Sequence, residues 1–516
     1  MDFDHHVLKY ELNNINIGSA SSFMKSKSQL IESNFTRSYN TISLNNKDNW
    51  TKINLDYEDN SKRNIISDSL NLNSHKHKSY GAISGFGEME NVFVEIGYNH
   101  IINDSVVDGI IQKVNTSNNF SVNTQLINDT NTRLSIYGNY RILNKTNGVR
   151  KEKFLNSRIN YFKKSSNDII KINILYETNS GNLAQQEYTF IEVEPGVGNY
   201  KWIDINENNI QELEEFEIAQ FEDEGIYLRV LLPNQKFIKT YQNKFSQSLN
   251  INFKKWAKDK LKFKKILSYF QNQTQYLIQK QSAQENNQFD LNPFKISSKN
   301  LLGLTMNLRN SLFFNRGKQY YSTTYNFTNN RSKNSLSFGN IENDLLSHQL
   351  TFKHKLNSIL FSSAVTFENK NSKSENFESK NYTFNEVKYG PKLSYFIQDN
   401  NKIDIYYQYS NKENLISNFE TLTQNKFGIS SAFSNKNKLA INGELNYYKN
   451  KFKGNPNSII GYIMMEGLQS GNNLTWALNI QKKVTKNVDL NLNYFARKSD
   501  NNSVIHNGSI QLKANF

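Results

Sequence analysis

Hydrophobic and polar residues alternate along most of this chain, and the alternation runs to its last residue. Ile510, Leu512, Ala514 and Phe516 fall on one face of the final stretch; Ser509, Gln511, Lys513 and Asn515 fall on the other. A period of two predicts half-buried strands. Ile403, Ile405, Tyr407 and Tyr409 make one such face, and Leu439, Ile441, Leu445 and Tyr447 another. Leu474, Trp476, Leu478 and Ile480 follow, then Val488, Leu490, Leu492 and Tyr494. Gln469-Ser-Gly-Asn472, Thr485-Lys-Asn487 and Lys498-Ser-Asp-Asn-Asn502 read as tight turns between them. The N-terminal half repeats the pattern more loosely, with Ile53, Leu55 and Tyr57, then Leu134, Ile136, Tyr140 and Ile142, then Ile170, Ile172, Ile174 and Tyr176. Polar stretches 58–64 and 144–153 read as loops. At about 20 residues per strand and turn, the chain holds roughly 22 to 28 strands, at the upper end for single-chain barrels.

The pattern predicts an all-β chain forming a large antiparallel transmembrane β-barrel in the cell outer membrane, with a small acidic loop-helix insertion. No run of about 18 to 20 apolar residues exists, so a helical membrane protein is excluded. A β-solenoid would show a fixed sequence repeat; a sandwich would need two richer apolar faces. Only 37% of the 516 residues are hydrophobic, yet 13% are aromatic, more than a disordered chain carries. Scarce apolar residues with many rings suit a wall with one lipid face, one wet face and aromatic girdles. The five prolines, Pro195, Pro233, Pro293, Pro391 and Pro456, each lie near Gly or Asn and are expected outside the strands, because a central strand needs every N–H. Three segments follow: barrel strands over 1–187, the acidic insertion over 188–232, and barrel strands over 233–516. Phe516, a terminal aromatic on an amphipathic strand, is the expected assembly signal.

Charge adds partners. The formal net charge is +15, which favours lipopolysaccharide phosphates, although the lysines are mostly scattered. The densest group, Lys254, Lys255, Lys258, Lys260, Lys262, Lys264 and Lys265, surrounds Trp256 and Phe263. No nucleic-acid-binding motif accompanies it. The expected partners are outer-membrane lipid and lipopolysaccharide, the barrel-assembly machinery and other envelope proteins, and no nucleic acid. The absence of cysteine excludes disulfides and thiolate chemistry. Residues 1–30 lack the features of a secretion signal, so the chain reads as a mature form, a misplaced start, or the C-terminal part of something longer.

One segment reverses the charge. Between Asp204 and Glu224 lie nine carboxylates and no Lys or Arg. Asp204, Asn206, Asn208, Ile210 (through its carbonyl), Glu212 and Glu215 occupy positions 1, 3, 5, 7, 9 and 12 of a calcium-loop pattern. Calcium takes six to eight hard oxygens, and Glu215 can close the shell with two. Asn209 stands where glycine is usual, at a left-handed position that Asn tolerates. Leu213, Phe216, Ile218 and Phe221 predict a short helix after the loop. A structural Ca2+ is therefore expected; a solvated acidic turn is the other reading.

No catalytic motif is found. His75 and His77 share a strand face, as metal ligands could, but stand among Ser74, Lys76 and Lys78. Ser503, His506 and Asn507 supply the parts of a hydrolase without an activated-serine motif. The chain is not expected to be an enzyme.

Three stretches carry a resemblance: Tyr188–Trp202 with Asp204–Phe216 and Tyr227-Leu-Arg-Val230; Asn292-Pro-Phe294 with Arg309–Arg316; and Tyr494-Phe-Ala-Arg-Lys-Ser499 with Val504–Gly508 and Leu512–Phe516. Over roughly residues 185–516 the chain resembles the C-terminal half of large, mostly uncharacterised outer-membrane β-barrel proteins of Bacteroidota. The resemblance implies a longer precursor and lends no activity. The expected function is transport, secretion or envelope assembly with no cargo specified. A non-transporting structural or adhesive barrel and a barrel hydrolase are the alternatives.

Overall fold

A computed structural model describes residues 2–146, 148, 151–165, 167–204, 206–284, 288–296, 300–317, 320–336, 339–398, 401–416, 419–435, 438–485, 487–500 and 502–514. Among them the chain forms one 26-stranded sheet, within the expected strand count. Among the described residues no helix is long and apolar enough to cross a membrane. Phe516, the expected assembly signal, lies outside the described residues.

Two compact units divide the chain. One comprises Met1–Leu183, Ile238–Ser248 and Ile278–Leu301; the other comprises Ala184–Phe237, Leu249–Leu277 and Leu302–Phe516.

The first unit is an antiparallel meander. Asp2–Leu12 pairs with Ile15–Lys27, and successive hairpins follow. Asn13, and Asp108 with Gly109, turn two of these hairpins at positive φ of 50°, 52° and 79°. Asn and Gly reach that region at least cost, which fixes the register of each hairpin. The 58–64 stretch is not a loop, because it completes the strand Asn49–Asn64. Its neighbours supply ladder partners on both sides, and Arg37 pairs with Glu58 at 3.3 Å. The 144–153 loop is shorter than its sequence suggests, since strands extend to Lys145 and restart at Glu152.

The second unit carries the regular strands from Leu301–Phe314 to Ile505–Ala514. Its register aligns two kinds of row across six strands. Leu393, Ile405, Ile429, Leu445, Trp476 and Ala496 are successive partners. One residue along run Lys392, Tyr406, Gly428, Asn446, Thr475 and Arg497. From Leu393 to Leu445 the apolar row is the more exposed, with Ile405 57% and Leu445 44% accessible against 6% for Asn446 and 8% for Arg497; Ala496 at its end is buried. A water-soluble sheet would bury the first row and expose the second. Apolar surface costs about 25 cal/mol per Å² to leave in water, so this inverted arrangement is stable where hydrocarbon meets the apolar rows.

Two expectations need correction. Pro391 sits within the strand Tyr382–Gln398 and Pro233 within Tyr227–Asn252. Pro391 interrupts the ladder to the next strand, which runs from Tyr389–Tyr409 directly to Lys392–Tyr406, as the missing N–H requires, while its pairing with Ser363 on the other side is kept. The helix expected after the acidic loop is also absent. Leu213–Glu215 and Glu222–Glu224 are single 3-10 turns, and Phe216–Ile218 is a short strand. The ladder decides this: Phe216, Glu217 and Ile218 pair residue by residue with Trp202, Lys201 and Tyr200.

Candidate functional site: an acidic segment docked on the polar face

Residues 193–226 join the strands Ile170–Glu192 and Tyr227–Asn252. Tyr200–Trp202 pairs with Phe216–Ile218, and Tyr200 faces Tyr227. Phe190 stacks on Phe216 at 4.1 Å, and Tyr227 meets that ring edge-on at 5.0 Å. Gly198 and Gly225 let two backbone turns touch: a Cβ on Gly225 would stand 2.2 Å from the Gly198 carbonyl oxygen. A side chain at either position would force the turns apart.

The nine carboxylates divide into two groups. Four hold the segment in place. Arg497 donates to both oxygens of Asp223 at 3.0 and 2.8 Å, and to Glu224 at 3.2 Å. Lys201, from the segment itself, reaches Glu224 at 3.0 Å, and the Tyr462 hydroxyl donates to the other Glu224 oxygen at 2.6 Å. The Gln220 N–H donates to that same hydroxyl at 2.9 Å. Lys380 pairs with Glu217 at 2.8 Å and donates to the Phe216 carbonyl at 2.7 Å. The Asn507 amide donates to Glu222 at 3.1 Å. Rings reinforce the charges: Phe221 stacks on Phe495 at 5.6 Å, and the Arg497 guanidinium lies 4.0 Å over Phe221. Burial and the hydrogen bond to Glu224 raise the Tyr462 pKa above its ordinary 10.0, so the phenol keeps its proton and remains the donor.

Tyr462 is presented by a short helix, Ile459–Met465. Ser458 caps it, its Oγ accepting from the Gly461 N–H at 3.0 Å, and Glu466 ends it at φ 56°. Ile460, Met464 and Met465 pack on Phe384 and Leu422, apolar residues on the polar face. Beneath, Lys412 donates to the Met464 carbonyl at 3.1 Å, while Lys388 and Lys412 lie 3.1 and 3.7 Å from Glu386. Beside Phe221 and Glu222 a cavity of about 420 Å³ opens on Asn479, Asn493 and Asn507.

The other carboxylates belong to the calcium-loop pattern or flank it. The Asp204 carboxylate accepts from the Asn209 N–H at 2.9 Å. Asn206 accepts from the Asn208 N–H at 3.1 Å and donates to Glu212 at 3.0 Å. Asn208 accepts from the Ile210 N–H at 2.6 Å. Asn209 has φ 56°, the left-handed backbone expected of its position. Asp204, Asn206, Asn208, Ile210 and Glu212 are thus drawn into one curled loop. Glu215 closes the end of that loop: it is fully buried, accepts from the Trp202 indole N–H at 2.7 Å and from the Glu212 N–H at 3.4 Å, and forms a capping box with Glu212. Among the described residues no group of three or more His, Cys, Asp or Glu could hold a metal ion.

The catalytic candidates do not converge. His506 meets the Tyr494 hydroxyl at 2.8 Å on the apolar face, while Asn507, the next residue, holds Glu222 on the polar face. His75 pairs with Glu58 at 3.1 Å and His77 with Asn103 at 2.8 Å, and both sit on the strand His75–Gly87 rather than in a loop.

Sequence reasoning passed over Arg497, Tyr462, Lys380 and Lys201 as functional residues. The available signal was the charge imbalance itself, nine carboxylates with no cation among them, which requires cations from elsewhere in the fold.

An inverted antiparallel sheet with a charged segment docked on its polar face defines an outer-membrane β-barrel protein. No family model matches the chain, and no curated protein does. Among solved structures, the closed form of the ferric-catecholate import receptor Fiu from E. coli K12 is 10% identical, covering 93% of this chain and 76% of that one, at a TM-score of 0.34. The ferric preacinetobactin receptor BauA from Acinetobacter baumannii is 9% identical, with 99% and 75% covered and a TM-score of 0.35. A mutant of the ferric enterobactin receptor PfeA from Pseudomonas aeruginosa is 8% identical, with 93% and 74% covered and a TM-score of 0.36.

Proposed function

We propose that this chain supports transport across the outer membrane, with its polar face lining the conduit and residues 193–226 closing one end of the conduit. The observation that carries this reading is the Arg497 ion pair to Asp223 and Glu224, which ties the segment to the polar face. Planar-bilayer conductance tests the proposal. The wild-type chain should pass little current, and Arg497→Ala should open larger, longer-lived conductance steps. Equal, negligible current from both proteins would favour a non-transporting structural barrel instead.

The curled loop 204–212 is proposed as a structural Ca2+ loop. Its left-handed Asn209 and the Asp204 Oδ1, buried without a hydrogen-bond partner, support this. Calorimetric titration of the whole chain with CaCl2 should show saturable heat that Asp204→Ala removes; identical heats from both proteins would dismiss the site.

A further inference from the structure

The polar face of the first unit carries a hollow of its own, of about 580 Å³. Tyr137, Arg158 and Glu177, which line it, are successive ladder partners. One residue along run Ile136, Ile159 and Tyr176. Tyr140 shares the face of Ile136, and its row continues through Phe120, Tyr98, Ala82, Ile53 and Ile42 to Ile17. Phe120, Tyr98, Ile53, Ile42 and Ile17 are 42–49% exposed, the apolar row of this unit. Alternation therefore places Arg158 and Glu177 on the opposite, polar side of the wall.

Its charges do not balance. Arg158 reaches one Glu177 oxygen, Oε1, through both Nε and Nη2 at 2.6 Å, and Lys244 reaches the other at 3.3 Å. One carboxylate thus serves two cations, and both of its oxygens are taken. Among the described residues no other carboxylate lines the hollow. Arg158 and Lys244 are 60% and 38% exposed, so each still presents donors to the hollow: Nη1 of the guanidinium, and the ammonium protons that Glu177 does not use. Beside them stand the Tyr137 hydroxyl and the amides of Asn179, Gln242 and Gln279, which make no side-chain hydrogen bond among the described residues. A cationic solute finds no free carboxylate here, whereas an anion finds two cationic donors and a rim of uncommitted polar groups.

We infer that this hollow binds a small organic oxyanion, a carboxylate or phosphate carried on an uncharged, hydroxyl-bearing body. The guanidinium fork matches an oxyanion, and the ammonium adds a point charge beside it. The hydroxyl and the three amides suit the body, because each both donates to and accepts from hydroxyl groups without adding charge. A few convergent polar groups in a hollow of this size are what fixes a small molecule in one orientation. Glu177 has two effects: it holds the cations in place, and it competes with the ligand for them. Entry of a solute from the conduit rests on the proposal that the polar face lines it.

Calorimetry on the full-length protein in detergent micelles tests this. Gluconate and glucose 6-phosphate supply the two oxyanions, glucose is their neutral counterpart and glucosamine their cationic one. At least one anion should bind saturably, and glucose and glucosamine should bind about tenfold more weakly or less. Arg158→Gln and Lys244→Gln should each weaken that anion by about tenfold. Arg133→Gln, on the same face as Tyr137 but outside the hollow, should leave it unchanged. Glu177→Gln separates a ligand site from a structural ion pair: with the competing carboxylate gone, the anion should bind about tenfold more tightly. Heat-modifiable gel mobility checks that each variant is folded. No saturable heat from either anion, glucose bound as tightly as the anions, inorganic phosphate bound as tightly as glucose 6-phosphate, or unchanged or weaker binding by folded Glu177→Gln would each overturn the inference. Binding is read without flux, so a protein that binds gluconate yet passes no current keeps this site and loses the conduit, and one that conducts but binds neither anion loses only this site.

Discussion

Replacing Arg497 by alanine should release residues 193–226 while leaving the strands folded. The guanidinium makes three charge-assisted hydrogen bonds, at 2.8, 3.0 and 3.2 Å, and is 8% exposed. Removing one partner of a buried ion pair costs about 3–5 kcal/mol, because the abandoned charge stays buried. Asp223 and Glu224 are each partly accessible and Glu224 keeps Lys201 and Tyr462, so the lower end applies. About 3 kcal/mol corresponds to a shift on the order of 100-fold in the docked–undocked equilibrium, at 1.4 kcal/mol per tenfold. Hydrogen exchange resolved by mass spectrometry reads this directly. Amides such as Ile203, Ala219 and Ile226, bonded at 2.8–3.1 Å within the segment, should lose protection by that factor, and amides of Thr421–Asn435 should not. Arg497→Lys should fall between, since lysine keeps the charge but loses the two-pronged contact. A double-mutant cycle with Asp223→Ala should return about 2 kcal/mol or more of coupling, the range for close charge pairs being roughly 1.5–7. Loss of protection below about threefold, or equal loss throughout the strands, would refute the docking account; the second outcome would mean that Arg497 stabilises the sheet itself.

Three further outcomes follow from the same structure. Tyr462→Phe strips the Gln220 N–H of its acceptor and Glu224 of a donor, and should cost about 1–3 kcal/mol of segment protection in the same exchange experiment. Because the folded Tyr462 pKa is raised above 10.0, its contribution is complete below pH 10 and is lost as pH climbs through the raised value; proteolysis of the segment should accelerate in that alkaline window in the wild type, and Tyr462→Phe should lack the step. Gly428→Val should destabilise the chain by about 1–3 kcal/mol in denaturant refolding, because even a Cβ there falls 2.3 Å from the Tyr406 ring. Ile429→Lys places a charge on the apolar row and should cost about 2–4 kcal/mol near the bilayer midplane in refolding into vesicles, whereas Gln424→Lys, on the polar face, should cost far less.

The strands were legible because alternation is a local property. Ile403–Tyr409 and Leu439–Tyr447 announce their apolar faces within nine residues, and pairing adds register without altering which side is which. The errors fall where a neighbouring element overrides the local preference. Residues 58–64 look like a loop because both faces are polar there, and only the partners at Ile31–Asn45 and His75–Gly87 make them a strand. Phe216 and Ile218 fit a helix as well as a strand until Tyr200–Trp202 offers a ladder. Phe384 and Leu422 sit on a polar row, and the helix that covers them begins 37 residues after Leu422, at Ile459.

The acidic segment shows what local reading cannot reach even in principle. Its partners Arg497 and Tyr462 lie 274 and 238 residues from their carboxylates, so no periodicity or spacing could have paired them. Net charge is different, because it must balance wherever a segment packs. Nine carboxylates without a cation among them cannot dock on a low-dielectric surface unless that surface brings its own positive charge. The same sequence that hides the contacts therefore fixes their sign: whatever receives this segment carries Arg or Lys. A polar wall supplied with Arg497, and the turn above it with Lys380, satisfy that demand where the apolar face could not.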